Sequence, residues 1–239
     1  MAVAALRTTP SQTDPAALRR LLVERFPDAV LLPDRATPPV ATGLIEFDRI
    51  FPQGGLPRGR LVAWPTQVGA TAVLRAVCHG LLRRGERTAW VDGRRALGTE
   101  WIDGPLVIRP RDESLALKSA EILLRSGGFS LIVLTGVEPD QAALLRLSRM
   151  VHEGQGAFLA VTQRTLTASI RLSSRFLLDR FRWAVGPFGE VAAVETVALE
   201  IAATAPGWSR SATLTLPASS HDLRHALDPD LADRRGALD

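Results

Sequence analysis

Residues 60–71 read Arg-Leu-Val-Ala-Trp-Pro-Thr-Gln-Val-Gly-Ala-Thr, and this stretch decides the fold. A short apolar run is followed by a loop and then by a helical pattern, which is the arrangement around a phosphate-binding loop, G-x-x-x-x-G-K-[ST]. Gly69 and Thr71 match the second glycine and the hydroxyl of that loop, whereas Trp64 replaces the first glycine and Ala70 replaces the lysine. The stretch predicts a nucleotide-binding fold whose loop lacks the cation that meets the phosphates.

Helix and strand patterns alternate along the middle of the chain. Helices are expected at residues 70–83, 114–125 and 139–152, and strands at residues 61–64, 88–91, 106–108, 129–135 and 157–162. The strands are short and apolar without alternation, which indicates burial on both faces and a mostly parallel sheet covered by helices. Residues 191–204 and 212–217 are typical of two antiparallel strands joined by a turn. The predicted class is therefore α/β.

The two ends of the chain differ from the middle in sequence pattern and composition. Residues 13–26 predict an amphipathic helix with one apolar face, formed by Leu18, Leu21, Leu22 and Phe26. A proline-rich linker follows it, and residues 218–239 have few large apolar side chains, which favours a tail that orders only on a partner. We therefore expect an N-terminal helix and linker at 1–40, a core at 41–206, and a C-terminal strand and flexible tail at 207–239.

Composition narrows the function classes. The chain has 239 residues, 46% of them hydrophobic and 23% charged, and its formal net charge is +4. These are globular values, and the charge gives only mild support for an acidic partner. Cys78 is the sole cysteine, so an intramolecular disulfide is impossible and a buried core thiol is expected. No signal peptide, membrane span or metal-binding cluster is evident, which predicts a cytoplasmic protein without a metal.

Two segments carry a resemblance to a known family. Residues 42–60 read Thr-Gly-Leu-Ile-Glu-Phe-Asp-Arg-Ile-Phe-Pro-Gln-Gly-Gly-Leu-Pro-Arg-Gly-Arg, and residues 89–97 read Ala-Trp-Val-Asp-Gly-Arg-Arg-Ala-Leu. The first resembles the approach to the phosphate-binding loop in RecA-like recombinases. Together the segments resemble the ImuA family, the RecA-like members of bacterial inducible mutagenesis cassettes, over about residues 15–215. The resemblance implies a RecA-like core.

The resemblance also implies which ATP-handling positions have changed. Arg94 stands where the family pattern has the glutamate that activates water, and Thr135 stands where it has the aspartate that supports Mg²⁺. Two lysines that reach a neighbour's nucleotide correspond to Glu200 and Ala202, while Gln163 matches a coupling glutamine. Because phosphoryl transfer depends on positioning and electrostatic stabilisation, these changes predict that the chain has no cofactor or catalytic residues and is not an enzyme.

Five arginines are the candidates for contact with nucleic acid or a partner protein, namely Arg164, Arg171, Arg175, Arg180 and Arg182. Aromatic residues lie between them, as in proteins that bind single strands, but the pattern favours a solvated face of a strand or helix whose aromatic side faces the core. The long DNA-binding loop that follows the coupling glutamine in RecA is predicted to be missing.

The resemblance implies partners as well. The favoured function is a non-catalytic adaptor in SOS mutagenesis that binds RecA and an ImuB-type inactive Y-family polymerase, and indirectly an error-prone C-family DNA polymerase. Weak DNA binding is a further expectation. The alternative is a DNA-dependent ATPase or a single-stranded DNA-binding protein with an atypical nucleotide site.

Overall fold

The computed structural model describes residues 37–65, 69–95, 97, 104–164 and 167–218. The chain divides into two compact units, Met1–Thr37 and Pro38–Asp239, and every element below belongs to the second. The predicted N-terminal helix with Leu18, Leu21, Leu22 and Phe26, and the predicted tail from residue 219, lie outside the described residues.

Four α-helices and nine strands make up the described fold. The helices are α1 Ile45–Arg49, α2 Ala70–Arg83, α3 Glu113–Ser126 and α4 Gln141–Gly154. The strands are β1 Leu61–Trp64, β2 Thr88–Asp92, β3 Leu106–Ile108, β4 Leu131–Thr135, β5 Ala157–Val161, β6 Ile170–Phe176, β7 Arg182–Val185, β8 Val191–Ala205 and β9 Trp208–Pro217. A short 3-10 helix, Leu178–Arg180, separates β6 from β7.

All nine strands form one sheet, in the order β3-β2-β4-β5-β1-β6-β8-β7, with β9 also paired to β8. The strands from β3 to β6 run parallel, and β6, β7 and β9 each pair with β8 in antiparallel fashion. The predicted α/β class, with a mostly parallel sheet and antiparallel strands towards the C-terminus, is confirmed.

Helices cover the strands β1, β2, β4 and β5 on both faces, and every residue of these four strands is buried. The first face packs against α1 and α2, with Trp64, Leu74 and Leu159 among its buried residues. The second face packs against α3 and α4, around Phe158 and Leu147. The first core also includes residues of β6, β8 and β9, whereas no residue of those three strands belongs to the second core.

Strands β6, β8 and β9 therefore have one buried face and one open face. Along β6 the burial alternates, with Ile170 and Leu172 buried and Arg171 and Ser173 exposed. On β8, Leu199 and Ile201 enter the first core. The sequence pattern of residues 171–183 fits either a strand or a helix. In the structure these residues form most of β6, a single 3-10 turn and the beginning of β7.

Candidate functional site

Trp64, at the position of the first loop glycine, is a core residue. Its side chain is fully buried and its ring stacks on Phe47, with centroids 6.2 Å apart and an interplanar angle of 16°. The indole Nε1 donates a hydrogen bond of 3.2 Å to the Ser174 hydroxyl on β6. Trp64 thus joins α1 to the antiparallel strands, and its indole has a hydrogen-bond partner as a buried tryptophan requires.

The start of α2 is apolar where the loop lysine would stand. Gly69 precedes the helix with φ of 83°, and a Cβ at this position would lie 2.9 Å from the terminal carbons of Leu199. Ala70, at the lysine position, is 2% exposed and belongs to the first core. Thr71 is exposed. The first turn of α2 therefore presents a buried methyl group and the Leu199 side chain rather than a cation.

Thr135 and Arg94 stand at two further positions that the family resemblance assigns to the ATP machinery. The Thr135 hydroxyl is buried and accepts a hydrogen bond of 2.9 Å from Trp90 Nε1. Arg94 is exposed. It lies close to Thr135 because the preceding residue, Gly93, donates its amide hydrogen to the Thr135 carbonyl over 2.8 Å. Asp92 caps the turn that follows β2, because one carboxylate oxygen accepts from the Leu97 amide at 2.8 Å.

Glu138 is a residue that the sequence analysis missed. Its carboxylate accepts a 2.7 Å hydrogen bond from the Thr162 hydroxyl and one of 3.0 Å from the Gln163 amide. Glu138 thereby joins the loop after β4 to the loop after β5, at the end of the sheet where α2 begins. No local pattern marks Glu138, because its partners, Thr162 and Gln163, lie in a different loop, after the neighbouring strand.

The five candidate arginines do not gather in one place. Arg164 is exposed in the loop after β5, and Arg171 lies on β6. Arg175 forms an ion pair with Glu200, directly across from it on β8. Arg180 and Arg182 line one cavity of about 430 Å³ together with Ala198, Thr196, Thr213 and Thr215. Their guanidinium groups make no hydrogen bond or ion pair with the described residues.

Glu200, the partner of Arg175, stands at one of the two positions where the family resemblance has a lysine. Glu200 and Ala202 lie on the open face of β8, and Glu200 balances the charge of Arg175 across the strand pair. The lysine positions therefore belong to a surface on which the local charge is satisfied within the chain.

Exposed apolar side chains cluster around the β7–β8 hairpin. Six of the eleven large apolar residues that are exposed in the described chain fall between positions 176 and 191, namely Phe176, Leu178, Trp183, Val185, Phe188 and Val191. Phe188 is 96% exposed at the hairpin turn. The turn is closed by hydrogen bonds from the Gly186 amide to the Glu190 carbonyl and from the Phe188 amide to the Glu190 carboxylate. We call these six residues the hairpin patch.

The remaining predicted features have simpler outcomes. Cys78 is buried in the first core, and burial raises its pKa from 9.0 to about 12, so the predicted core thiol is confirmed. Among the described residues, no group of three or more histidines, cysteines and acids could hold a metal ion. No helix in the same part of the chain combines the length and apolarity that crossing a membrane requires.

Comparison with known proteins places the chain near RecA. It is 35% identical over 111 residues to Protein RecA of Desulfotalea psychrophila, which covers 43% of this chain and 31% of that protein. It is 32% identical over 141 residues to Protein RecA of Leifsonia xyli (55% and 38%) and 30% identical over 161 residues to that of Methylococcus capsulatus (62% and 46%). No protein-family profile matches the chain. The chain thus spans less than half the length of these curated relatives.

The sheet and these similarities together show a RecA-like fold, which is a nucleotide-binding fold. They contradict one expectation from the sequence, namely that the chain is not an enzyme. That expectation rested on differences between this chain and RecA-like recombinases at the ATP-handling positions, yet the relatives found are themselves named RecA. The classification as a non-enzyme is wrong on this finding.

Proposed function

We propose that this protein is an ImuA-type accessory protein of the DNA-damage response that binds RecA and an ImuB-type inactive Y-family polymerase. Through the latter it serves an error-prone C-family DNA polymerase in damage-induced translesion synthesis in the cytoplasm. The resemblance of residues 42–60 and 89–97 to the ImuA family and the similarity to RecA proteins support this role. This role requires only binding to the partner proteins, and it does not depend on whether the chain hydrolyses ATP.

The hairpin patch is the observation that carries the proposal. Contiguous exposed apolar surface on a globular protein usually marks a site of protein–protein contact. Here an aromatic side chain at a hairpin turn, Phe188, lies in the same segment as the half-exposed Trp183. Aromatic residues and arginine dominate the energetics of protein interfaces, and Arg180 and Arg182 are exposed in the same segment of the chain. The patch has the composition of a partner-binding surface.

The proposal assigns different partners to different parts of the chain. The hairpin patch and the adjoining arginines contact RecA, with a second contact from the expected helix and linker at 1–40. The core at 41–206 supports these surfaces, and residues 207–239 contact the ImuB-type protein. Any DNA contact is weak and accompanies the contact with RecA.

The test is a binding measurement between the full chain and purified RecA. Phe188→Ser removes the most exposed aromatic side chain, and we expect the affinity for RecA to fall at least about tenfold, as for a central interface aromatic. Surface plasmon resonance on immobilised RecA gives the dissociation constant. Thermal shift with Mg-ATP on the same preparations measures the nucleotide site independently.

The matched control is Ile122→Ser on α3. Ile122 is 58% exposed and lies outside the hairpin patch, so this substitution makes a similar change in surface polarity elsewhere. Its affinity for RecA should equal that of the unaltered chain. If Phe188→Ser and Ile122→Ser bind RecA equally well, the hairpin patch is not the RecA-binding surface.

A further inference from the structure

Two neighbouring cavities lie at the end of the sheet where β1 and β6 begin. The larger, of about 530 Å³, is lined mainly by apolar side chains, including Phe51, Ile170 and Trp208. The smaller, of about 280 Å³, is lined by polar and charged side chains of α4, namely Ser148, Arg149, His152 and Glu153. Arg60 and Ser169 line both cavities. We call the two cavities together the basal groove.

Main-chain hydrogen bonds hold the walls of the basal groove in place. Val40 and Leu56 exchange two hydrogen bonds, of 2.8 and 2.9 Å, beside the loop that forms one wall. The Gly59 amide donates to the Gly156 carbonyl over 2.9 Å, and the Ser169 amide donates to the Leu61 carbonyl over 3.0 Å. Arg60 thus extends from a short segment fixed on both sides. A preformed site of this kind loses little conformational freedom when it binds.

The charged half of the groove has unused positive charge. The guanidinium groups of Arg60 and Arg149 form no hydrogen bond or ion pair within the part of the chain that the structure describes. Glu153 is the one acid among the lining residues, so the two arginines leave an excess of one positive charge. Arginine binds carboxylates through two parallel hydrogen bonds, and the Ser169 hydroxyl is available next to Arg60 as a further donor.

The apolar half of the groove determines which side chain a carboxylate-bearing ligand must also carry. Its volume is in the range of sites that enclose organic groups, about 300–1,000 Å³. Trp208 and Ile170 offer apolar surface next to Arg60. A phosphate chain would leave this apolar surface unused. A peptide that combines carboxylates with a large apolar side chain matches both halves.

We propose that the basal groove binds an extended acidic peptide segment of a partner protein. A carboxylate of the peptide pairs with Arg60 and Arg149, and a neighbouring leucine or aromatic side chain enters the cavity beside Trp208. This site is separate from the hairpin patch, and it goes beyond the proposed contact with RecA.

The experiment uses the full chain and a fluorescein-labelled synthetic peptide, Gly-Asp-Asp-Leu-Leu-Gly-Ser, followed by fluorescence anisotropy. We expect saturable binding, with an affinity about tenfold lower for Arg60→Ala and severalfold lower for Arg149→Ala, because each removes a charge-assisted contact. Arg125→Ala is the control, since Arg125 is an exposed arginine on α3 outside both cavities. It should bind the peptide like the unaltered chain.

Variants of the peptide test the same contacts without any risk to folding. Replacing both aspartates by asparagine should weaken binding to the unaltered chain more than binding to Arg60→Ala, since that variant has already lost one of the two arginine contacts. Replacing both leucines by alanine should weaken binding to every variant alike.

Several results would overturn the proposal. They are the absence of binding up to about 1 mM peptide, equal binding by Arg60→Ala and Arg125→Ala, and displacement of the peptide by a single-stranded oligothymidylate. A chain that self-associates through Arg60 while binding no peptide would show instead that the groove is an interface between copies. The hairpin test with RecA is unaffected by any of these outcomes.

Discussion

Thr135 has a structural role at a position that the family resemblance assigns to a metal-supporting aspartate. Its hydroxyl accepts from Trp90 Nε1 at 2.9 Å, and both side chains are buried between neighbouring strands. A buried indole N–H that loses its acceptor incurs a desolvation penalty that the folded state must bear. The hydroxyl therefore stabilises the junction of β2 and β4.

We predict that Thr135→Val lowers the free energy of unfolding by about 1–3 kcal/mol, because it removes the acceptor but keeps the shape of the side chain. Thr135→Ser keeps the hydroxyl and should lose less. Urea denaturation followed by circular dichroism measures both values. Equal stability of the two variants would show that the hydrogen bond to Trp90 contributes nothing.

Helices α3 and α4 show how local sequence sets the boundaries of an element. Asp112 caps α3 by accepting from the Leu115 amide at 2.8 Å, and Asp140 caps α4 by accepting from the Ala143 amide at 2.7 Å. The predicted helix at 139–152 begins two residues before α4 does. The aspartate cap defines the actual start, with Gln141 as the first helical residue.

Asp140→Ala is expected to lower the free energy of unfolding by about 1 kcal/mol, as is usual when a side-chain cap is lost. Asp140→Asn retains an oxygen acceptor and should be close to the unaltered chain. Gln141→Ala is the control, since Gln141 is exposed in the same turn. Thermal unfolding monitored by calorimetry distinguishes the three. A loss in Gln141→Ala equal to that in Asp140→Ala would rule out the cap as the cause.

The antiparallel strands and the parallel strands are parts of one core. Leu199 on β8 is 1% exposed and packs over Gly69, at the start of the helix that follows β1. Trp64 and Ser174, separated by 110 residues in sequence, share a hydrogen bond across the junction. The first core continues without interruption from α2 to β9. The molecule should therefore unfold as one cooperative unit from β1 to β9.

This cooperativity can be measured through Leu199→Ala, which should lower the free energy of unfolding by about 2–5 kcal/mol through loss of buried surface and an unfilled cavity. Hydrogen exchange should then accelerate to the same extent at amides of β4, although β4 and β8 are not neighbours in the sheet. Leu145→Ala is the control, because Leu145 is 47% exposed on α4. Faster exchange confined to β8 and β9 would show that the antiparallel strands unfold separately.

Much of the fold could be predicted because its signals are local. Short apolar runs specify the buried parallel strands, and the helical repeats at 70–83 and 114–125 specify α2 and α3 within a residue at each end. The altered loop around Ala70 could also be identified from sequence, since one residue type at one position carries the charge. Strands β6 and β7 were not separated in advance, because their exposed arginines and aromatics fit a strand or a helix equally well.

The class of the fold, the order of its elements and the absence of a lysine at position 70 follow from the sequence alone, since each depends on residues close together along the chain. The tertiary structure was needed to show which distant side chains line the same cavity, as Arg180 and Arg182 do with Thr213, and Arg60 with Trp208. The physical reason is that such contacts depend on strand order and register, which follow from the packing of the whole core and from no single segment.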